Sequence, residues 1–66
     1  MINKNSKIFV AGHNGLIGSS IIRKLENLNY KKIYVKSKRE LDLRNQKEVY
    51  KYFLKVKPDA VILAAA

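Results

Sequence analysis

The sequence predicts an α/β chain in which three parallel strands alternate with two helices, in the order β-α-β-α-β. Three observations carry that expectation. Short continuous runs of β-branched and aromatic residues recur around Phe9, Tyr34 and Ile62, the pattern of strands buried on both faces. Between them lie two stretches with apolar residues at helical spacing. A glycine-rich turn, Gly12-His13-Asn14-Gly15-Leu16-Ile17-Gly18, joins the first run to the first helical stretch.

Taken in order, residues 1–6 are polar and are expected to fray. Residues 7–11 form the first strand. After the glycine turn an amphipathic helix begins near Ser19, with Ile17, Ile21, Leu25 and Leu28 as its apolar stripe and Ile22 widening it. Asn29 stops that helix, because asparagine tolerates the left-handed conformation. Residues 32–36 form the second strand, and Ser37-Lys38-Arg39 turns the chain into Glu40-Leu41-Asp42-Leu43. The second helix spans 46–57, with Val49, Tyr52, Phe53 and Val56 on one face and either Asn45 or Asp42 as its cap. Pro58 ends it by forcing the preceding residue out of helical geometry. Residues 60–63 form the third strand.

Right-handed crossovers put the second strand beside the first, and a doubly wound arrangement puts the third on the first strand's other side. Such a sheet has open parallel edges and an uncovered face. Residues 1–66 therefore read as the opening part of a larger domain, with no internal repeat and no linker.

Composition narrows the field. A chain of 66 residues buries only about 60% of the surface its unfolded form exposes, so its core is marginal. With no cysteine, neither a disulfide nor a thiolate metal site reinforces it. The apolar runs are too short for a signal peptide or a membrane span, and the expectation is a soluble, cytoplasmic protein. The net charge of +9 calls for an anionic partner or a solvated basic surface. Many of the lysines fall on polar helix faces or in loops, and no aromatic residues interleave with them as in a nucleic-acid platform. Neither nucleic acid nor a membrane is an expected partner, and no metal site is legible.

The turn carries the chemistry. Strand, glycine turn and helix, in that order, form the phosphate-binding corner of a Rossmann-type sheet. Glycines let the backbone approach a pyrophosphate, and the helix N-terminus aims N–H groups and partial positive charge at it. Gly12, Gly15 and Gly18 are spaced G-x-x-G-x-x-G. At the end of the second strand, where NAD-binding proteins carry an acid for the ribose 2′-hydroxyl, this chain has Lys36, Ser37, Lys38 and Arg39. No carboxylate stands there to repel a 2′-phosphate, and cations and a hydroxyl are present to hold one. NADP(H) is favoured over NAD(H).

Val10 to Ser19, Glu40-Leu41-Asp42-Leu43, Lys57-Pro58 and Leu63-Ala64-Ala65-Ala66 together resemble the N-terminal part of the GDP-L-fucose synthase family, within the extended short-chain dehydrogenase/reductases. The resemblance implies an NADPH-dependent epimerase and reductase that converts GDP-4-keto-6-deoxy-mannose to GDP-L-fucose, working on a GDP-sugar substrate as a homodimer. It implies that Asn14, Leu16 and Ile17 lend backbone N–H groups or pack beneath the cofactor. Lys36, Ser37 and Lys38 would meet the 2′-phosphate, Asp42 and Leu43 the adenine, and Ala64, Ala65 and Ala66 would wall the site with small side chains. Asp42 also reads as a helix cap and the alanines as a tightly packed strand end. His13 reads as a turn residue. The family's usual G-H-R-G is here G-H-N-G, which leaves the 2′-phosphate to Lys36, Lys38 and Arg39. Related readings are a reductase like dTDP-4-keto-rhamnose reductase, or a non-catalytic dinucleotide-binding module.

The catalytic Tyr-x-x-x-Lys of that superfamily has no helical counterpart in these residues. Only Tyr34-Val35-Lys36-Ser37-Lys38 has the spacing, across a strand and its turn, where the two side chains do not share a face. No residue of the chain is assigned a catalytic role.

Overall fold

The computed structural model describes residues 2–37 and 39–64. Strand β1 (Lys7–Ala11) is followed by helix α1 (Leu16–Asn27), strand β2 (Lys32–Lys36), helix α2 (Gln46–Val56) and strand β3 (Ala60–Leu63). All pairings are parallel, in the order β2-β1-β3. The doubly wound placement expected from the sequence is the one observed.

β1 is the centre of the core. Ile8, Phe9, Val10 and Ala11 are all buried, which explains a run with no polar alternation. Side chains alternate across a strand, so Phe9 and Ala11 face one helix while Ile8 and Val10 face the other. On the α2 side the Phe9 ring lies 5.4 Å from that of Tyr52 and 5.6 Å from that of Phe53, in tilted and edge-on arrangements. Such pairs add about 0.5–1.5 kcal/mol each beyond the area they bury. Leu41, from the loop after β2, completes this cluster with Ala11 and Tyr34. Sequence periodicity gave no sign of Leu41 as a core residue, because it belongs to no helix or strand.

The helix ends are chemically distinct. Asn29 takes a left-handed conformation (φ 68°), and the Asn29 and Tyr30 N–H groups bond back to the Glu26 and Leu25 carbonyls. Asn45, not Asp42, caps α2, its side chain accepting from the Glu48 N–H. Lys57, before Pro58, leaves the helix through the left-handed region (φ 54°) instead of an extended one. The Lys7 ammonium donates to the Val56 carbonyl at 3.1 Å, tying the end of α2 to β1.

Three expectations need correction. The amino-terminal segment is not frayed throughout: the Asn3 N–H donates to Ser6 Oγ and the Ser6 N–H to the Asn3 carbonyl, closing a turn that buries Ser6. Helix α1 starts at Leu16, ahead of Ser19, and Ile17 is 67% exposed instead of joining the apolar stripe. Gly18 holds the inward position in that first turn, so the flanking side chains point away from the core. Finally, each face of the sheet carries one helix, so neither is bare. On the sheet the apolar surface left open lies on the two edge strands, at Val35 on β2 and at Val61 and Leu63 on β3, and the helices leave Leu16, Ile17 and Leu54 exposed as well.

Candidate functional site

The site lies above the carboxyl end of β1, where strand order reverses and open α/β sheets hold their ligands. The glycines there do different work. Gly12 has φ 84°, a conformation L side chains rarely adopt. Gly18 is constrained by contact, since a Cβ there would run into the Gly12 carbonyl oxygen and lie 2.7 Å from its carbon. Gly15 is under neither constraint. Its backbone is extended (φ −82°, ψ 168°), and a Cβ would meet the Gly12 oxygen at an ordinary 3.6 Å. Nothing in the fold requires glycine at 15.

Gly15 is also the N-cap of α1. It supplies no side-chain cap, and the first turn contains no acidic residue. The opening N–H groups of a helix have no partner within it, so this end presents uncompensated donors and the positive end of the helix dipole. Leu16, 92% exposed, and Ile17 flank that opening, where Asn14 is exposed too. These features suit a pyrophosphate, with the N–H groups of the first turn of α1 as donors, the Gly15 N–H being taken by the Gly12 carbonyl at 3.1 Å, and no Cβ at 15 in the way.

At the end of β2 the structure differs from expectation. The Ser37 N–H donates to Glu40 Oε1 at 2.9 Å, and Ser37 Oγ accepts from the Glu40 N–H at 3.2 Å. The Ser37 carbonyl accepts from the Glu40 and Leu41 N–H groups, closing one helical turn. A carboxylate therefore stands beside Ser37, where the reading by position found only cations. The signal was present: Ser37-x-x-Glu40 is a capping box. The Ser37 N–H, then the Ser37 side chain, hold the Glu40 carboxyl below its ordinary value, and the charges of Lys36 and His13 pull the same way. The Lys36 ammonium lies 5.5 Å from the centre of the Tyr52 ring, a cation–π contact. Burial, more than the nearby Tyr34 and Glu40, pushes the Tyr52 hydroxyl above its ordinary value. Lys38 lies outside the described residues.

Between the glycine turn and residues 41–44 is a cavity of about 310 Å³, walled by Gly12, His13, Asn14, Ser37, Asp42 and Leu43 among others. Phe9, Ala11 and Leu41 make its floor apolar. Asp42 is gripped by Arg44, whose Nε and Nη2 reach the two carboxylate oxygens at 3.1 and 3.0 Å, while the Arg44 N–H adds a bond at 2.9 Å. Asp42 thus faces the cavity without capping α2. Arg44 was not singled out from the sequence; only its place two residues past Asp42 hinted at the pair. His13 Nδ1 is buried with no hydrogen-bond partner among the described residues. An open depression beside the cavity brings Asn14, Ser37, Arg39 and Asp42 together. Ala64 sits beside the end of β1, its N–H donating to the Ala11 carbonyl at 2.9 Å, while Ala65 and Ala66 lie outside the described residues. No group of side chains suited to holding a metal ion occurs among the described residues, and no described helix is long and apolar enough to cross a membrane.

A parallel sheet with helices on both faces and an open, uncapped first helix behind a glycine turn defines a Rossmann-type α/β unit. Residues 8–66 match the NAD dependent epimerase/dehydratase family, and the chain belongs to it. It is 50% identical over 66 residues to GDP-L-fucose synthase 1 of Arabidopsis thaliana, covering all of this chain and 20% of that protein. It is 52% identical over 60 residues to a GDP-L-fucose synthase of Sinorhizobium fredii, covering 91% of this chain and 19% of that one. Among solved structures it superposes with a TM-score of 0.93 on a GDP-mannoheptose C4 reductase from Campylobacter jejuni determined with NADP bound. There the identity is 38%, and the match covers all of this chain and 21% of the other. The chain spans about 20% of the length of the curated relatives it matches.

Proposed function

We propose that this chain is the N-terminal cofactor-binding segment of an NADPH-dependent nucleotide-sugar epimerase/reductase of the GDP-L-fucose synthase type. The observation that carries the reading is Gly15. It is the one glycine of the turn whose missing Cβ serves neither backbone conformation nor packing, and it stands at the open end of α1. A phosphate lying against the helix end accounts for it.

In this reading Gly12, Gly15 and Gly18 form the turn under the pyrophosphate. Asn14, Leu16 and Ile17 contribute backbone donors. The adenosine ribose lies toward Ser37, Lys36 and Arg39, with Lys38 proposed as a further contact from its place in the sequence alone, and the adenine occupies the cavity beside Asp42 and Leu43. Ala64 leaves room for the cofactor beside the end of β1, and Ala65 and Ala66, which follow it in the sequence, are proposed to continue that wall of small side chains. Bound NADPH supplies a hydride to a C4 ketone, and this segment positions the donor. The serine or threonine and the Tyr-x-x-x-Lys of the superfamily lie outside these residues. The names of the relatives support a GDP-linked sugar as the substrate of the complete enzyme. The family resemblance makes GDP-4-keto-6-deoxy-mannose the sugar we propose and a cytoplasmic homodimer the proposed form.

The test is a titration of NADPH and NADH into the protein in the full length its gene encodes, followed by assay with GDP- and dTDP-linked 4-keto sugars. Saturable binding with NADPH tighter than NADH, and turnover of the GDP sugar, is the expected result. Absence of dinucleotide binding would remove the cofactor role, and turnover of only the dTDP sugar would move the protein to the rhamnose branch.

A further inference from the structure

The turn after β2 holds an anion of its own at the place proposed for the 2′-phosphate. The Ser37 N–H, the first main-chain donor past β2, is occupied by the Glu40 carboxylate at 2.9 Å. Asn14 and Arg39 flank Ser37 in the same open depression, and Lys36 and His13 act on the carboxylate through their charge. The Glu40 side chain is exposed and contributes nothing to the core. Its carboxylate is held by the Ser37 N–H, while the Glu40 backbone N–H keeps its own bond to Ser37 Oγ, so the side chain can turn into solvent without disturbing the packing.

We propose that Glu40 is a specificity-determining residue, an internal anion that competes with the ribose 2′-phosphate for Ser37 and the cations around it. The proposal rests on the cofactor reading given above. A carboxylate and a phosphate within reach of one N–H repel each other, so the phosphate must displace the carboxylate. NADPH has to do this and NADH does not. Glu40 therefore moderates the preference that the basic residues would otherwise impose. Ser37 is suited to the exchange: its N–H and side chain both act on the Glu40 carboxylate, so both become available to an incoming phosphate oxygen once the carboxylate turns away.

The experiment compares the wild-type protein, in the full length its gene encodes, with Glu40→Gln and Glu40→Ala by cofactor fluorescence. Glutamine keeps an oxygen for the Ser37 N–H and removes the charge. We expect Glu40→Gln to bind NADPH roughly three- to tenfold tighter with NADH unchanged, the size of one charge-assisted contact. Glu40→Ala shifts the NADPH-to-NADH ratio the same way. If Glu40→Gln matches wild type while Glu40→Ala weakens both cofactors equally, the residue only holds the turn and the proposal is wrong. Wild-type protein that binds neither dinucleotide overturns the cofactor reading itself, and the role of Glu40 with it.

Discussion

The two helices begin in opposite ways. α2 opens with Asn45 bonded to the Glu48 N–H and with an acidic residue in its first turn, so its N-terminal donors and dipole are answered from within the chain. α1 opens with a bare glycine and no acid. Both helices are of similar length, 12 and 11 residues, and each packs on one face of the same sheet. What separates them is position. α2 starts after a loop whose residues 41–44 wall the cavity but whose Asn45 has already closed the helix end, whereas α1 starts at the carboxyl end of the central strand, where a ligand can complete what the chain leaves unmade. With glycine in place of a capping side chain the cost is about 0.3 kcal/mol, and a bound anion would supply the missing cap.

The largest effect expected from that difference is at Gly18. Alanine gains about 1 kcal/mol of helix propensity over glycine. Here its Cβ would meet the Gly12 carbonyl, backbone that cannot rotate aside, and overpacking of this kind costs about 1–3 kcal/mol or more. Gly18→Ala should lower stability by about 2 kcal/mol in urea unfolding and weaken NADPH binding with it. A variant as stable as wild type would show that the approach of α1 to the turn is loose.

Gly15→Asp separates fold from function. The aspartate Cβ fits, and its carboxylate can cap α1 as Asn45 caps α2. Stability should rise by about 0.5–1 kcal/mol while NADPH affinity falls at least about tenfold, because the cap takes the donors a phosphate needs. Gains in both, or losses in both, would dissolve the contrast between the helices. Asn45→Ala is the converse: a loss of about 1 kcal/mol in stability with cofactor affinity unchanged.

These pairs also show what the sequence made legible. Strand limits, the Asn29 stop and the glycine turn follow from periodicity and from glycine and asparagine chemistry, all local and strong, whereas strand order followed only from the doubly wound arrangement. The function of each glycine did not, because φ at Gly12, contact at Gly18 and the lack of either at Gly15 are three-dimensional facts behind one letter. Leu41 was hidden because a single buried residue in a loop has no period. Glu40 was hidden because position along the strand was weighed and the capping pattern was not. The Asp42–Arg44 pair required knowing that Asn45 had already taken the capping role that Asp42 was also a candidate for.

The smallest predicted effect concerns the turn that caps itself. Hydrogen bonds from Ser37 lower the Glu40 carboxyl pKa below its reference of 4.5. A lowered folded pKa means the ionised form favours the folded chain. That contribution is complete above the unfolded value and is lost as pH falls through the lowered one, below 4.5. Because the group is fully exposed, unfolding curves between neutral pH and pH 5 should barely differ. The informative measurement is a carbon-detected NMR titration of the Glu40 carboxyl. Without cofactor its midpoint should lie below 4.5. With NADPH bound, loss of the Ser37 N–H and the arrival of a phosphate should both move it upward, while NADH should leave it in place. A midpoint indifferent to NADPH would mean that the carboxylate keeps its bond, and that the turn after β2, like α2, is closed by the chain alone.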